Sequence, residues 1–286
     1  MPTDALSATV WSALTGPWHD GTVVRAFAEV GLVGAVGGVL GCWIVLYGLS
    51  YGAESLAHAL FPGLVVAALL GLPIVAGGAA GLAVAALAIA AAGRVPQVGG
   101  DTAIAVVVTT LFGLGVLLAL SPASPPGIQG LLFGDVLGLS TGDLLLGVAL
   151  GVVVLGALRP LHGRLLAVGF DRTSARSLGA APAVVDVALL LLIAAAILVA
   201  VQGLGNLLVV AVLIAPAATS RLLARRMVPM MALAAGCAVL AGVAGLYLSY
   251  YAGTAGGASI AGTMVALYLA VLTAKSLRPR IVSSRA

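Results

Sequence analysis

Glu54 and His58 stand four residues apart in the stretch Ser50-Tyr51-Gly52-Ala53-Glu54-Ser55-Leu56-Ala57-His58-Ala59-Leu60-Phe61-Pro62-Gly63. On a helix, that spacing stacks the two side chains on one face. A carboxylate beside an imidazole is a ligand set suited to divalent transition metals. The surrounding chain is apolar, and an ionisable group inside a membrane segment costs several kcal/mol unless it is paired or faces a polar path. The pair is therefore a candidate metal path. The structural alternative is an interhelical hydrogen bond for His58 and a snorkelling Glu54. One chain offers only two ligands, short of the four or six that zinc or manganese prefer. A twofold axis would double the set to two Glu and two His.

The elements that position this pair follow from composition. The 286-residue chain is 62% hydrophobic and 8% charged, whereas a soluble domain averages roughly 25% charged residues. Its mean hydropathy is +1.23. Hydrocarbon leaves backbone polar groups without partners, so such a chain spans as helices or as a closed barrel. The long Ala/Val/Leu/Gly runs lack the alternation of a barrel strand. The sequence predicts an all-α, polytopic membrane protein with a single transmembrane domain over residues 1–286. Apolar spans are expected at about 30–49, 54–71, 73–93, 101–120, 141–158, 183–201, 203–222, 229–249 and 256–274, each near the ~20 residues a bilayer requires. That makes nine spans, or eight if the segment holding Pro62 or Pro216 is broken or re-entrant. Residues 1–28 lack the basic start and apolar core of a cleavable signal and read as an interfacial segment, with Trp11 and Trp18 as anchors.

Arg159, Arg164, Arg172, Arg176, Arg221, Arg225, Arg226 and the basic residues from Lys275 onward fall on one side of a nine-span arrangement, as does Arg94. The positive-inside rule places that side in the cytoplasm and the Pro-rich turn at 121–140 outside. A pI near 9.4 comes from these loop arginines and implies no nucleic-acid partner. Cys42 and Cys237 lie in separate spans and read as small packing residues rather than a disulfide or zinc site. The single lysine, Lys275, follows Ala274 at a span end, so no Gly-Lys phosphate loop is available. If ATP drives this chain, a separate subunit binds it.

The cytoplasmic segment 160–182 carries Asp171, Ala175 and Gly179 at four-residue spacing. It predicts a short helix with a small-residue face, closed by a glycine cap, suited to docking a partner. Asp135 and Asp143 flank the outward turn; solvated loop acids are the plainer reading. Asn206 either bonds a neighbouring helix or lines the path. Asp186 is expected to cap a helix or pair with an arginine, and His162 to be solvated in the basic loop.

Four ordered motifs resemble the membrane permeases of zinc/manganese (metal-ion) ABC importers. They are Val45-Leu46-Tyr47-Gly48-Leu49-Ser50 leading into Glu54 through Gly63; Leu132-Phe133-Gly134-Asp135-Val136-Leu137; Gly169-Phe170-Asp171 through Ala175 to Gly179; and Gly205-Asn206-Leu207-Leu208-Val209-Val210-Ala211 through Pro216 to Ser220. Together they cover most of residues 30–275. The resemblance implies an ABC importer permease architecture in the cytoplasmic (inner) membrane, with eight or nine helices. It implies a homodimer or paralogue dimer with the path between the subunits. It also implies a cytoplasmic ABC ATPase that binds ATP, and an extracytoplasmic solute-binding protein.

By the same resemblance the chain is not an enzyme. It holds no permanent cofactor, Glu54 and His58 mark the metal path, and Asp171, Ala175 and Gly179 mark the ATPase dock. Pro62, Asn206, Pro216 and Asp135 are assigned to the pathway or its hinges. The family usually has Asp where this chain has Glu54, an extra methylene that moves the carboxylate by ~1.5 Å. Zinc is the favoured cargo, with manganese or iron as alternatives. A siderophore/cobalamin-type ABC permease and an ion-coupled secondary transporter are the competing readings. An intramembrane metalloenzyme would need three protein ligands and a base, which three histidines with a single one in a span do not supply.

Overall fold

The computed structural model describes residues 15–92, 100–122, 124, 128, 132, 134–177, 179–206 and 208–277; the side chains of residues 90, 100, 101 and 202 are not described. Trp11, Arg94, Phe133, Leu207 and the arginines beyond Lys275, all used in the sequence reading, lie outside the described residues.

After a 3-10 turn at Gly16–His19, ten α-helices follow among the described residues. They are α1 (Gly21–Tyr47), α2 (Ser50–Leu70), α3 (Ile74–Ala92), α4 (Gly100–Ala119), α5 (Thr141–Phe170), α6 (Arg172–Ser177), α7 (Pro182–Leu204), α8 (Val209–Leu223), α9 (Met227–Ala252) and α10 (Gly256–Leu277). All but the six-residue α6 correspond to the expected spans. Seven are long and apolar enough to cross a membrane, and α3 and α8 supply shorter apolar helices. At 15 residues, α8 covers about 22 Å, short of the ~30 Å hydrocarbon core.

Several boundaries differ from the sequence reading, for local reasons. α1 starts at Gly21 rather than near 30, because Asp20 caps it: its Oδ1 accepts from the Thr22 N–H at 2.8 Å. No breaker intervenes before Gly48. α5 runs on to Phe170, through Pro160, so the first half of 160–182 continues a span and only Arg172–Ser177 makes a separate helix. α2 is unbroken at Pro62. The real interruption lies between α7 and α8, at Gly205 and Asn206, both buried. Non-helical backbone at membrane depth is tolerated where protein encloses it.

α1 is the central helix, packed against α9, α8, α5 and α7. Leu40, Trp43 and Ile44 of α1 join Leu189, Ile193 and Ile197 of α7 and Leu213 of α8 in the main core. α2 packs instead on α3 and α4. In lipid, close packing of small residues replaces the hydrophobic effect as the drive for helix pairing. Gly63 of α2 lies in the Gly77-to-Gly81 groove of α3, where a Cβ on Gly63 would stand 2.1 Å from the Gly77 carbonyl oxygen. That close approach fixes the height of α2 relative to α3.

The basic segments gather at one end of the molecule. The Tyr47 hydroxyl donates to the Leu165 carbonyl at 2.8 Å, and Lys275 Nζ donates to the Leu222 carbonyl at 2.5 Å. A groove of about 280 Å³ joins Leu46 and Phe170 to Arg221 and Arg225. At the opposite end, a cavity of about 460 Å³ joins Val23 and Asp135 to Tyr250 and Thr254.

Candidate metal path

Gly48 sets where the pair sits. It closes α1 in the left-handed region (φ 67°), which costs glycine nothing, and the Leu49 N–H returns to the Ile44 carbonyl at 2.9 Å. α2 therefore starts only two residues after α1 ends. Glu54 and His58 lie about 6 and 12 Å along α2 from its first residue.

The two side chains share a face, as the spacing predicts: His58 Nε2 lies 3.9 Å from Glu54 Oε1. Glu54 is 53% exposed and His58 23%. They belong to one partly uncovered stripe of α2, exposed at Tyr51, Glu54, Val66 and Leu70 and half-buried at His58 and Pro62. All the other members are apolar or aromatic. Pro62 has no N–H to return to the His58 carbonyl, so an acceptor is freed on His58 itself.

Two side chains meet the imidazole, and a third backs one of them. Phe112 of α4 lies against the ring, with centroids 4.4 Å apart, and Phe61 packs on Phe112 at 5.4 Å. Asn206, at the break between α7 and α8, brings its Nδ2 to 3.3 Å from His58 Nδ1. Asn206 is fully buried, and its Oδ1 has no hydrogen-bond partner among the described residues. The structure thus brings Glu54, His58, Pro62 and Asn206 together. It leaves Pro216 buried within α8 and Asp135 at the opposite end, where its Oδ1 accepts from the Gly138 N–H at 2.9 Å. Among the described residues no group of three or more His, Cys, Asp or Glu could hold a metal ion within one chain.

The docking trio is arranged differently from the expectation. Asp171, Ala175 and Gly179 do not form one exposed helical face. Asp171 is a cap: its carboxylate accepts from the Ser174 hydroxyl and from the N–H groups of Thr173 and Ser174. The Ser174 hydroxyl, with those backbone donors, holds the Asp171 carboxyl below the usual carboxylate range. Ala175 points inward, 1% exposed. Gly179 follows the helix with φ 79°, and its N–H and that of Ala180 return to Arg176 and Ala175, a glycine-type helix stop. Arg172 ties α6 to α7 through a two-pronged bond to Asp186, at 2.8 and 3.1 Å, so the pairing expected for Asp186 is present. His162 lies in α5 rather than in a loop, half-buried, with its ring edge-on to Trp43 at 5.3 Å.

Sequence reasoning missed Glu29, which fell just outside the expected first span. It is 3% exposed, and its Oε2 has no hydrogen-bond partner among the described residues. A Cβ on Gly147 of α5 would come within 3.2 Å of that oxygen, so the glycine makes room for the acid. The available signal was its place four residues after Arg25, on the same face of a helix that nothing interrupts.

Seven helices long and apolar enough to cross a membrane define a polytopic helical membrane protein. The profile of the ABC 3 transport family matches residues 19–275, and the chain belongs to that family. It is 35% identical over 248 residues to the manganese transport system membrane protein MntC of Halalkalibacterium halodurans, covering 85% of each chain. It is 30% identical over 257 residues to the chelated iron transport system membrane protein YfeC of Yersinia pestis, covering 90% of this chain and 87% of that one. Among solved structures it resembles PsaBC from Streptococcus pneumoniae in complex with Fab, with a TM-score of 0.86 and 28% identity over 92% of this chain and 95% of that one.

Proposed function

We propose that this chain is the membrane permease of an ATP-driven importer of divalent transition-metal ions, working as one of two copies in the cytoplasmic membrane. The observation that carries the proposal is the partly uncovered stripe of α2. Glu54 and His58 lie in it among apolar residues, and lipid facing such a pair would be costly. A second copy across a twofold axis covers the stripe and brings two carboxylates and two imidazoles to one place. That donor set, completed by water, suits a six-coordinate ion held loosely enough to leave.

Manganese is the cargo we propose, with iron(II) next, since the names of the relatives MntC and YfeC point to manganese and chelated iron. The zinc preference expected from the sequence has no support in either name. ATP is hydrolysed by a separate cytoplasmic subunit that meets the basic end around α6, since the only lysine, Lys275, lies outside any phosphate loop. An extracytoplasmic binding protein delivers the ion at the opposite end, near Asp135. The test is uptake of labelled manganese into proteoliposomes holding the permease and its ATPase, with zinc and iron(II) as competitors. ATP-dependent uptake that manganese and iron(II) suppress best supports the reading. Uptake that proceeds without the ATPase, driven by an ion gradient, makes the chain a secondary transporter.

A further inference from the structure

We propose that Asn206 is the positioning residue for His58 and decides which imidazole nitrogen is free to meet the ion. The inference rests on the reading of Glu54 and His58 as the cargo site. An amide nitrogen only donates and an amide oxygen only accepts. With Asn206 Nδ2 facing Nδ1 at 3.3 Å, Nδ1 is the accepting nitrogen, and the neutral ring carries its proton on Nε2. Nε2 is the edge that faces Glu54, 3.9 Å away. A protonated nitrogen has no lone pair for a metal, so this arrangement is closed to the ion.

The buried amide contains the means to open it. Asn206 Oδ1 is enclosed and has no hydrogen-bond partner among the described residues. A half-turn of the amide brings that oxygen to Nδ1, where it accepts from an Nδ1–H. Nε2 is then bare and points at the same ion as the Glu54 carboxylate. The proton leaving Nε2 and the one arriving at Nδ1 balance, so the ring is neutral in both states. Phe112, packed on the ring, keeps the imidazole plane while the amide turns. Partners of this kind set the tautomer and orientation of metal-binding histidines elsewhere, and their loss costs ~10–100-fold in metal affinity. Here the partner sits at the helix break that follows α7, 148 residues from His58 in the chain.

The test uses the permease–ATPase complex in proteoliposomes, with manganese(II) as the probe. Asn206→Leu, close in size but without an amide, raises the KM for manganese ~10–100-fold, while the maximal rate falls far less. Asn206→Asp only accepts, so it lowers KM and slows turnover by holding the ion. Nitrogen-15 histidine NMR of the metal-free complex, with His58 assigned by its loss in His58→Ala, shows Nε2–H in the wild type and Nδ1–H in Asn206→Asp. A wild-type KM in Asn206→Leu, with or without less folded complex, overturns the inference, as does an identical tautomer in wild type and Asn206→Asp. His58→Ala separates the two claims. If it transports at the wild-type rate, the cargo-site reading itself fails. If it is inactive while Asn206→Leu keeps its KM, only the role of Asn206 fails.

Discussion

One methylene separates Glu54 from the aspartate usual in the family this chain resembles, and the geometry gives that methylene a consequence. Glu54 lies in the first turns of α2 and is more exposed than His58, so its longer reach carries the carboxylate away from the helix toward the open side of the stripe. Glu54→Asp draws the carboxylate back by ~1.5 Å. The expected result is continued uptake with a changed order of preference among manganese, iron(II) and zinc, read by competition in proteoliposomes. An unchanged order would mean that the carboxylate does not touch the ion.

At the scale of elements, α7 joins the two ends of the proposed machine. Its first turns are tied to α6 by the Arg172–Asp186 bond, and its far end leads into Gly205 and Asn206, which touches His58. Exposed ion pairs contribute little to stability, so Asp186→Arg is expected to shift the thermal midpoint of the permease only slightly. It is expected to lower the manganese moved per ATP hydrolysed, and the charge swap Arg172→Asp with Asp186→Arg to restore that ratio. A ratio unaffected by the single change would show that α6 does not act through α7. The α2–α3 contact makes a separate prediction. Gly77→Leu drives a side chain into Ala67 and the Gly63 backbone, and the expected loss is of folded permease itself, seen as aggregation on gel filtration.

For the whole molecule, the gathering of basic residues at one end gives a topology that can be labelled. With Cys237 replaced by Ala and Cys42 buried, Ser124→Cys is expected to react with an impermeant thiol reagent from outside the cell, and Thr173→Cys is not. The reverse pattern would invert the orientation. The positions of the apolar helices were legible in the sequence because apolarity and breakers such as Gly71 and Gly253 mark them directly; their number as spans was not, since the sequence allowed eight or nine and seven are long and apolar enough to cross. Where helices begin and end was less so: α5 passes Pro160 because helix continuity does not stop where the bilayer does. The i,i+4 spacing of Glu54 and His58 was legible because it is local. The contact with Asn206, the inward turn of Ala175 and the burial of Glu29 were not, because each depends on a helix far away in the chain.

The central claim is that Glu54 and His58 carry the ion. The most direct measurement is ATP-driven uptake of labelled manganese by proteoliposomes of the full complex bearing His58→Ala or Glu54→Gln, beside wild type. Glu54 is exposed, so Glu54→Gln is expected to assemble as wild type; His58 is half-buried against Phe112, so gel filtration of His58→Ala checks that the complex still assembles before its uptake is read. Uptake is expected to fall at least ~10-fold in each, the loss of one ligand or of the charge that offsets the cation. Wild-type uptake in both variants would contradict the claim and leave the pair a structural feature of α2.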